Sequence, residues 1–154
     1  MRAVIQRVCY ASVTADGILT GQIGKGLFLL LGVFAGDSEK DALCLSEKIA
    51  KLRIFSDADG KMNLSVNDVG GGALVVSNFT LCASYEHGNR PDYLKAAKPG
   101  EANRLYETFL TSLRQRITEV ASGVFGADMR IHCEADGPVT IVMDSELLRK
   151  GKNE

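Results

Sequence analysis

The chain has 154 residues, 45% of them apolar and 24% charged, with 18 Lys and Arg against 19 Asp and Glu for a formal charge of −1. A chain of this size buries roughly 68–70% of the surface its unfolded form exposes, so one domain over 1–154 is expected to hold on its core alone, and disordered or collagen-like classes are excluded. The near-zero charge excludes a protein that coats long stretches of nucleic acid, because such affinity grows with the number of phosphates neutralised, but it leaves room for a local basic face.

In Arg2 to Thr14 the alternation of Val4, Gln6, Val8 and Tyr10 with Ile5, Arg7, Cys9 and Ala11 predicts a strand covered in part on both faces. Gln6 and Arg7 stand where a secretory signal would continue its apolar stretch, so no signal peptide is expected and the cytoplasm is the expected location. Asp16-Gly17 predicts a hairpin, since such turns need positive φ, with Ile18 to Ile23 running back beside the first strand. A second turn, Gly24-Lys25-Gly26, leads into the continuous apolar run Leu27 to Phe34, which suits a central strand and completes a three-strand meander. The longest nearly apolar run, Leu27 to Ala35, falls far short of the ~20 residues that cross a bilayer, so no membrane span is expected.

Ser38 followed by Asp41 resembles a capping box, and Ala42, Leu45, Ile49 and Leu52 recur at helical spacing down to about Arg53. From Phe55 to Gly72 the chain is turn-rich, with short strands around Met62 to Val66. Its Asp57-Ala58-Asp59-Gly60 reads as a plain turn, because the remaining calcium ligands and the closing glutamate are missing. Ala73 to Ala83 predicts a further strand. The polar segment from Ser84 to Lys98, long for a loop, is a functional candidate. Pro99 opens a second helix with Leu105, Phe109, Leu113, Ile117 and Val120 on one stripe and Gly123 as C-cap. Val124 to Glu134 and Val139 to Met143 predict the last two strands, parted by Ala135-Asp136-Gly137-Pro138. The fold class is therefore α/β, a strongly curved, mostly antiparallel and barrel-like sheet with amphipathic helices packed on it.

Familiar catalytic constellations fail on their own terms. Cys9, Cys44, Cys82 and Cys133 stand far apart without a CxxC pair and read as free buried thiols. No GxSxG elbow exists, Gly24-Lys25-Gly26 lacks Walker spacing, and Gly70-Gly71-Gly72 precedes a strand rather than a helix. His132 alternates within a predicted strand and reads as structural, whereas His87 lies in the polar loop beside Gly88-Asn89-Arg90-Pro91, where it could move a proton or contact phosphate.

Six ordered segments remain. They are Met1 to Val8, Lys25-Gly26-Leu27, Ser77-Asn78-Phe79-Thr80-Leu81, Gly88-Asn89-Arg90-Pro91, Phe125-Gly126-Ala127-Asp128-Met129 and Gly137-Pro138-Val139-Thr140. Together they resemble, over the full length, the D-aminoacyl-tRNA deacylases of the bacterial and eukaryotic type, homodimeric editing enzymes that hydrolyse the ester between a D-amino acid and the terminal adenosine of tRNA. The resemblance implies a pocket lined by Ser77, Phe79 and Thr80 as the catalytic segment, with Asn78 in place of the family's Gln. It implies a cis Gly137-Pro138 inserted from one subunit into the pocket of the other, where its carbonyl groups hold the substrate's amino group and block an L side chain. It also implies that Arg7 locks this motif with Met129 packing nearby, and that the turn before it has Ala135 where the family has Asn.

Further implications are contact with the acceptor end of tRNA, for which His87, Asn89 and Arg90 are candidates, no metal or organic cofactor, and weaker action on glycyl-tRNA mischarged on an alanine tRNA. Lys25, Lys95, Lys98, Arg149, Lys150 and Lys152 join Arg90 as possible phosphate contacts. Two rivals stand beside this reading: a relative with a trans Gly-Pro acting on L-aminoacyl or glycyl esters, and a catalytically inactive RNA-binding dimer. Rejection by a rigid backbone wall is physically sound, because D and L esters differ only in the direction in which the side chain leaves Cα. Strand alternation puts Ser77 and Phe79 on one face and Thr80 on the other, so the three converge only if the strand ends or bulges near Phe79. An alcohol nucleophile needs a base that the sequence does not supply, which favours attack by water with backbone N–H groups near Phe79 stabilising the oxyanion and a ribose hydroxyl assisting.

Overall fold

The computed structural model describes residues 1–150, the side chain of Lys150 excepted, so Lys152 and the end of the expected 1–154 domain lie outside the described residues. β1 (Arg2–Ala15) turns into β2 (Ile18–Ile23), and β3 (Gly26–Gly32) follows. Positive φ at both turn residues, 50° at Asp16 and 78° at Gly17, is what the twist of a two-residue hairpin demands. The chain continues through α1 (Glu39–Ala50), β4 (Phe55–Ser56), β5 (Met62–Leu64), β6 (Gly72–Ser77), a 3-10 turn (Phe79–Cys82), α2 (Pro99–Arg114), β7 (Val120–Ser122), β8 (Met129–Asp144) and α3 (Ser145–Lys150).

The opening is not a meander. The sheet order is β2-β1-β3-β6-β7, with β8 on the other edge of β1. Ala11 faces Ile23 and Val8 faces Gly26, so β2 and β3 run in line along one edge of β1, and Gly24-Lys25 is a kink within that line. With 14 residues β1 is long enough for both partners, which is why the second glycine turn bends the chain without reversing it. β8 covers the opposite edge from Met129, against Ala15, to Asp144, against Arg2, and leaves it only between Ala135 and Thr140. The two expected final strands are thus one interrupted strand, beginning later than Val124.

Two further boundaries differ from expectation. The strand from Ala73 ends at Ser77, and α2 ends at Arg114 instead of running on to Val120. Ile117, Thr118 and Val120 are β-branched and lose side-chain freedom in a helix, and Val120 to Ser122 instead gain parallel ladder bonds beside Ala73 to Val75. Gly123 therefore follows a strand and caps no helix. β2 approaches β7 across the remaining gap, Gly21 lying against the Ser122 carbonyl, so the sheet curls into a nearly closed barrel.

Strand parity divides the core in two. Ala3 and Ile5 of β1, Leu27, Leu29 and Leu31 of β3, and Ala73 and Val75 of β6 face α1 and α2, where they meet Leu45, Ile49, Leu105 and Phe109. Val8, Ala11, Val13, Phe28, Leu74 and Val76 fill the inside of the curl. The inward residues of β1 change from even to odd between Val8 and Ala11 because the register slips there, and one extra residue exchanges the two faces. Cys9 sits at this slip and is exposed, a correction to the expectation of four buried thiols; Cys82 is buried, and all four cysteines are free.

α1 opens as expected, the Asp41 carboxylate taking both the N–H and the hydroxyl of Ser38, at 2.9 and 2.8 Å. The buried α-ammonium of Met1 donates to Asp37 Oδ1 and Ser145 Oγ, each at 2.7 Å, tying the start of β1 to the segment after β8. Among the described residues no helix is long and apolar enough to cross a membrane.

Candidate functional site

β6 delivers the chain into a turn, and the cause is local. The Asn78 side-chain carbonyl accepts from the Thr80 N–H at 3.2 Å and from the Thr80 hydroxyl, an Asx cap that offers the backbone an alternative to another ladder rung. The N–H of Asn78 makes the last bond to β3, at 2.8 Å to the Leu31 carbonyl. Next to it Gly32 permits the turn to rest on the strand, since a Cβ there would lie 2.9 Å from that of Leu81. Behind the turn, burial pushes the Cys82 thiol up to about 11, leaving it a protonated packing group.

Ending the strand at Ser77 breaks the alternation, and Ser77, Asn78 and Phe79 come together on the wall of a cavity of about 590 Å³. Tyr93 from the polar segment, Tyr106 from α2, and Phe125 and Met129 from the approach to β8 supply other walls. The Phe79 ring, 58% exposed, stands edge-on to Tyr93 with centroids 5.0 Å apart. Tyr106 donates its hydroxyl to the Val75 carbonyl at 3.0 Å, and burial raises that hydroxyl to about 12, so it stays neutral. None of the described residues lining the cavity is Asp, Glu, Lys, Arg or His. Thr80 is exposed, lies outside the lining, and has its hydroxyl turned to Asn78. The Phe79 N–H has no protein acceptor among the described residues.

The Gly137-Pro138 bond is cis, with φ of 126° at Gly137. Both residues are exposed, and neither lines the cavity of its own chain. Beneath them the largely buried Arg7 donates through Nη1 to the Ile54 carbonyl at 2.7 Å and brings Nε within 3.0 Å of the Asp136 carboxylate. Met129 is not part of this cluster; it pairs with Ala15 at the far end of β1 and faces the cavity. His87, Asn89 and Arg90 are exposed on the segment between the 3-10 turn and α2, outside the cavity lining.

Chemically, this is a largely apolar slot with a main-chain N–H unengaged at one wall. Such a donor acts more strongly on a developing oxyanion in apolar surroundings than in water. The candidate residues read from sequence did not include Tyr93, Tyr106 or Asp136, whereas Phe125 stands in one of the segments that carry the resemblance. One of two tyrosines in a largely polar segment was a signal for Tyr93, and an acid directly before Gly-Pro was one for Asp136. Tyr106 carried none beyond ordinary core patterning.

Comparison with known proteins gives a consistent picture. The family described as D-Tyr-tRNA(Tyr) deacylase matches residues 4–144. The chain is 55% identical over 144 residues to the D-aminoacyl-tRNA deacylase of Ruegeria pomeroyi, covering 94% of this chain and 99% of that one. It is 56% identical over 149 residues to that of Chloroflexus aurantiacus, covering 97% and 93%. A solved structure titled c-Myc DNA Unwinding Element Binding Protein superposes with a TM-score of 0.88 at 41% identity, covering 94% of this chain and 98% of the other. One titled as a probable eukaryotic D-amino acid tRNA deacylase gives 0.80 at 15% identity, covering 93% and 98%, a likeness of fold.

Proposed function

The chain belongs to the D-Tyr-tRNA(Tyr) deacylase family, and from that premise we propose how it hydrolyses the ester of D-aminoacyl-tRNA to free D-amino acid and tRNA. The enzyme works as a homodimer in the cytoplasm, on the acceptor end of the tRNA. Gly137-Pro138 of one subunit enters the cavity of its partner, where the loop's carbonyl groups take the substrate's ammonium and its backbone excludes an L side chain. The observation that carries this reading is the complementarity between an exposed loop that does not line its own cavity and a cavity without a charged lining residue to receive an ammonium. In that arrangement Met129, remote from Arg7 in its own chain, meets the incoming loop, while Arg7 holds the outgoing one.

Ser77 and Phe79 form the wall along which the ester lies, and the Phe79 N–H donates to the carbonyl oxygen as it gains charge. The nucleophile is water, assisted by the vicinal ribose hydroxyl of the terminal adenosine, so the reading invokes no acyl-enzyme, metal or organic cofactor. Thr80 supports the turn through Asn78. His87, Asn89 and Arg90 contact the RNA outside the cavity. Glycyl-tRNA, lacking a side chain to exclude, is cleaved more weakly. Incubation of the purified protein with D-tyrosyl-tRNA and with L-tyrosyl-tRNA tests the proposal: rapid loss of the D ester alone is expected. Loss of both at equal rates, or of neither, overturns it.

A further inference from the structure

We propose that Asp136 is a positioning residue for Gly137-Pro138, orienting that loop through the Arg7 guanidinium; the inference rests on the reading above, in which the loop decides selectivity. Between the pairs Ala135 with Val8 and Thr140 with Gln6, residues 136–139 of β8 stand opposite Arg7 alone on β1, so the ladder does not set the direction of the loop. Within this excursion Gly137, Pro138 and Val139 have no polar side chain, and Ala135 before it adds none. Asp136 is the one charged group the excursion possesses.

Its partner is a fixed one. The Arg7 side chain is only 12% exposed, and its Nη1 is committed to the Ile54 carbonyl at 2.7 Å, which pins the guanidinium between the sheet and the segment after α1. The buried Nε has no aligned hydrogen-bond acceptor, and the Asp136 carboxylate at 3.0 Å answers it as an ion pair. Gly137 backs directly onto the same group: a Cβ there would lie 3.4 Å from Arg7 Nη2. The carboxylate thus holds the Asp136 end of the loop against a buried cation that is itself hydrogen-bonded, while Val139 at the other end packs on the core, so the exposed Gly137-Pro138 between them takes its direction from the Asp136 contact.

The experiment compares the unmodified protein with Asp136→Asn, Asp136→Glu, Arg7→Ala and the Arg7→Ala, Asp136→Ala pair. Two quantities are read: the ratio of D- to L-tyrosyl-tRNA deacylation, and the heteronuclear NOE of the Gly137 and Val139 amides. Misplacement of a substrate-positioning group by an ångström costs up to about 100-fold. Asp136→Asn is accordingly expected to narrow the D-to-L ratio about 10- to 100-fold through kcat more than KM and to lower both NOE values, with its melting temperature close to that of the unmodified protein. Asp136→Glu should recover part of the ratio, and the pair should be no worse than Arg7→Ala alone. Unchanged NOE values or an unchanged ratio in Asp136→Asn overturns the proposal. If the unmodified protein spares the D ester, the functional reading falls, and the NOE values still decide whether Asp136 orients the loop.

Discussion

β1 is flanked by two interruptions at nearly the same level, and they are built in opposite ways. On one edge the β2–β3 line kinks at Gly24-Lys25, and the chain resumes at Gly26, packed so tightly that a Cβ would fall 2.0 Å from the Gly72 carbonyl oxygen. On the other edge β8 releases residues 136–139 into a loop whose Gly137-Pro138 tip is exposed, held by an ion pair at Asp136 and by Val139 packed on the core. Both let a long strand pair bend as the sheet curls. The first removes side chains so that three strands can meet, and the second adds chain that projects outward. A break facing other strands is a packing device, whereas one facing solvent leaves its backbone carbonyls available to another molecule.

The sharpest way to break this comparison is to add one methyl group at each bend. Gly26→Ala places its Cβ inside a backbone carbonyl that has nowhere to retreat, and a loss of more than about 4 kcal/mol is expected, read by chemical denaturation or as failure to obtain folded protein. Gly137→Ala meets the Val139 N–H at 2.8 Å in a region of φ that L residues avoid, which costs about 1–3 kcal/mol in stability. Its larger effect is on turnover of the D ester, expected to fall about 100-fold in a deacylation assay while the melting curve stays cooperative. If Gly26→Ala were harmless, or if Gly137→Ala lost fold and activity in step, the distinction between the two bends would fail.

These bends also mark where the sequence was legible. The Asp-Gly hairpin, the Ser38 cap and the helical stripes were readable because each depends on neighbours within a few residues. The strand order was not: Gly24-Lys25-Gly26 reads equally as a reversal or a kink, and only the length of β1 relative to its partners decides. Val120 fitted a helical stripe and a β-branched run equally, and the ladder offered by β6 settled it in favour of a strand. At the site, Ser77 and Phe79 were accessible through their segment's resemblance. Asn78, noticed as a departure, proved to be the cap that ends the strand, because an Asx turn needs the shorter side chain. Asp136 depended on a partner 129 positions away in sequence, which periodicity does not reveal.

The helix layer offers an intermediate test, since α1 touches neither bend through its cap. Burial alone would raise the Asp41 carboxyl, but the Ser145 and Ser38 hydroxyls, the Ser38 N–H and the Arg149 charge outweigh it and hold the group below the usual carboxylate range. A carboxyl depressed in the folded state stabilises fully above its unfolded value of about 4, and that contribution disappears as the pH falls through the lower folded value. Ser38→Ala is expected to cost about 1 kcal/mol at neutral pH and less in acid, with the D-to-L ratio unchanged. A pH-independent deficit in urea titrations would contradict the assigned role of the carboxylate, and an altered ratio would mean that the helix layer reaches the outer bend.

The smallest effect is expected where residue type suggests the largest. Thr80 has the only hydroxyl of the 3-10 turn, yet that hydroxyl donates to Asn78 and lies outside the cavity lining. No carboxylate or histidine stands among the described lining residues to activate it. In Thr80→Ala the Asn78 carbonyl keeps the Thr80-position N–H, so the turn and the Phe79 N–H should hold their places. Turnover of D-tyrosyl-tRNA is then expected to stay within a few-fold of the unmodified enzyme, far from the roughly 10⁴-fold or greater losses that follow removal of a true nucleophile. Complete inactivation with intact folding and tRNA binding would show that the outer-loop and backbone account is incomplete and that chemistry resides in the side chain of the turn.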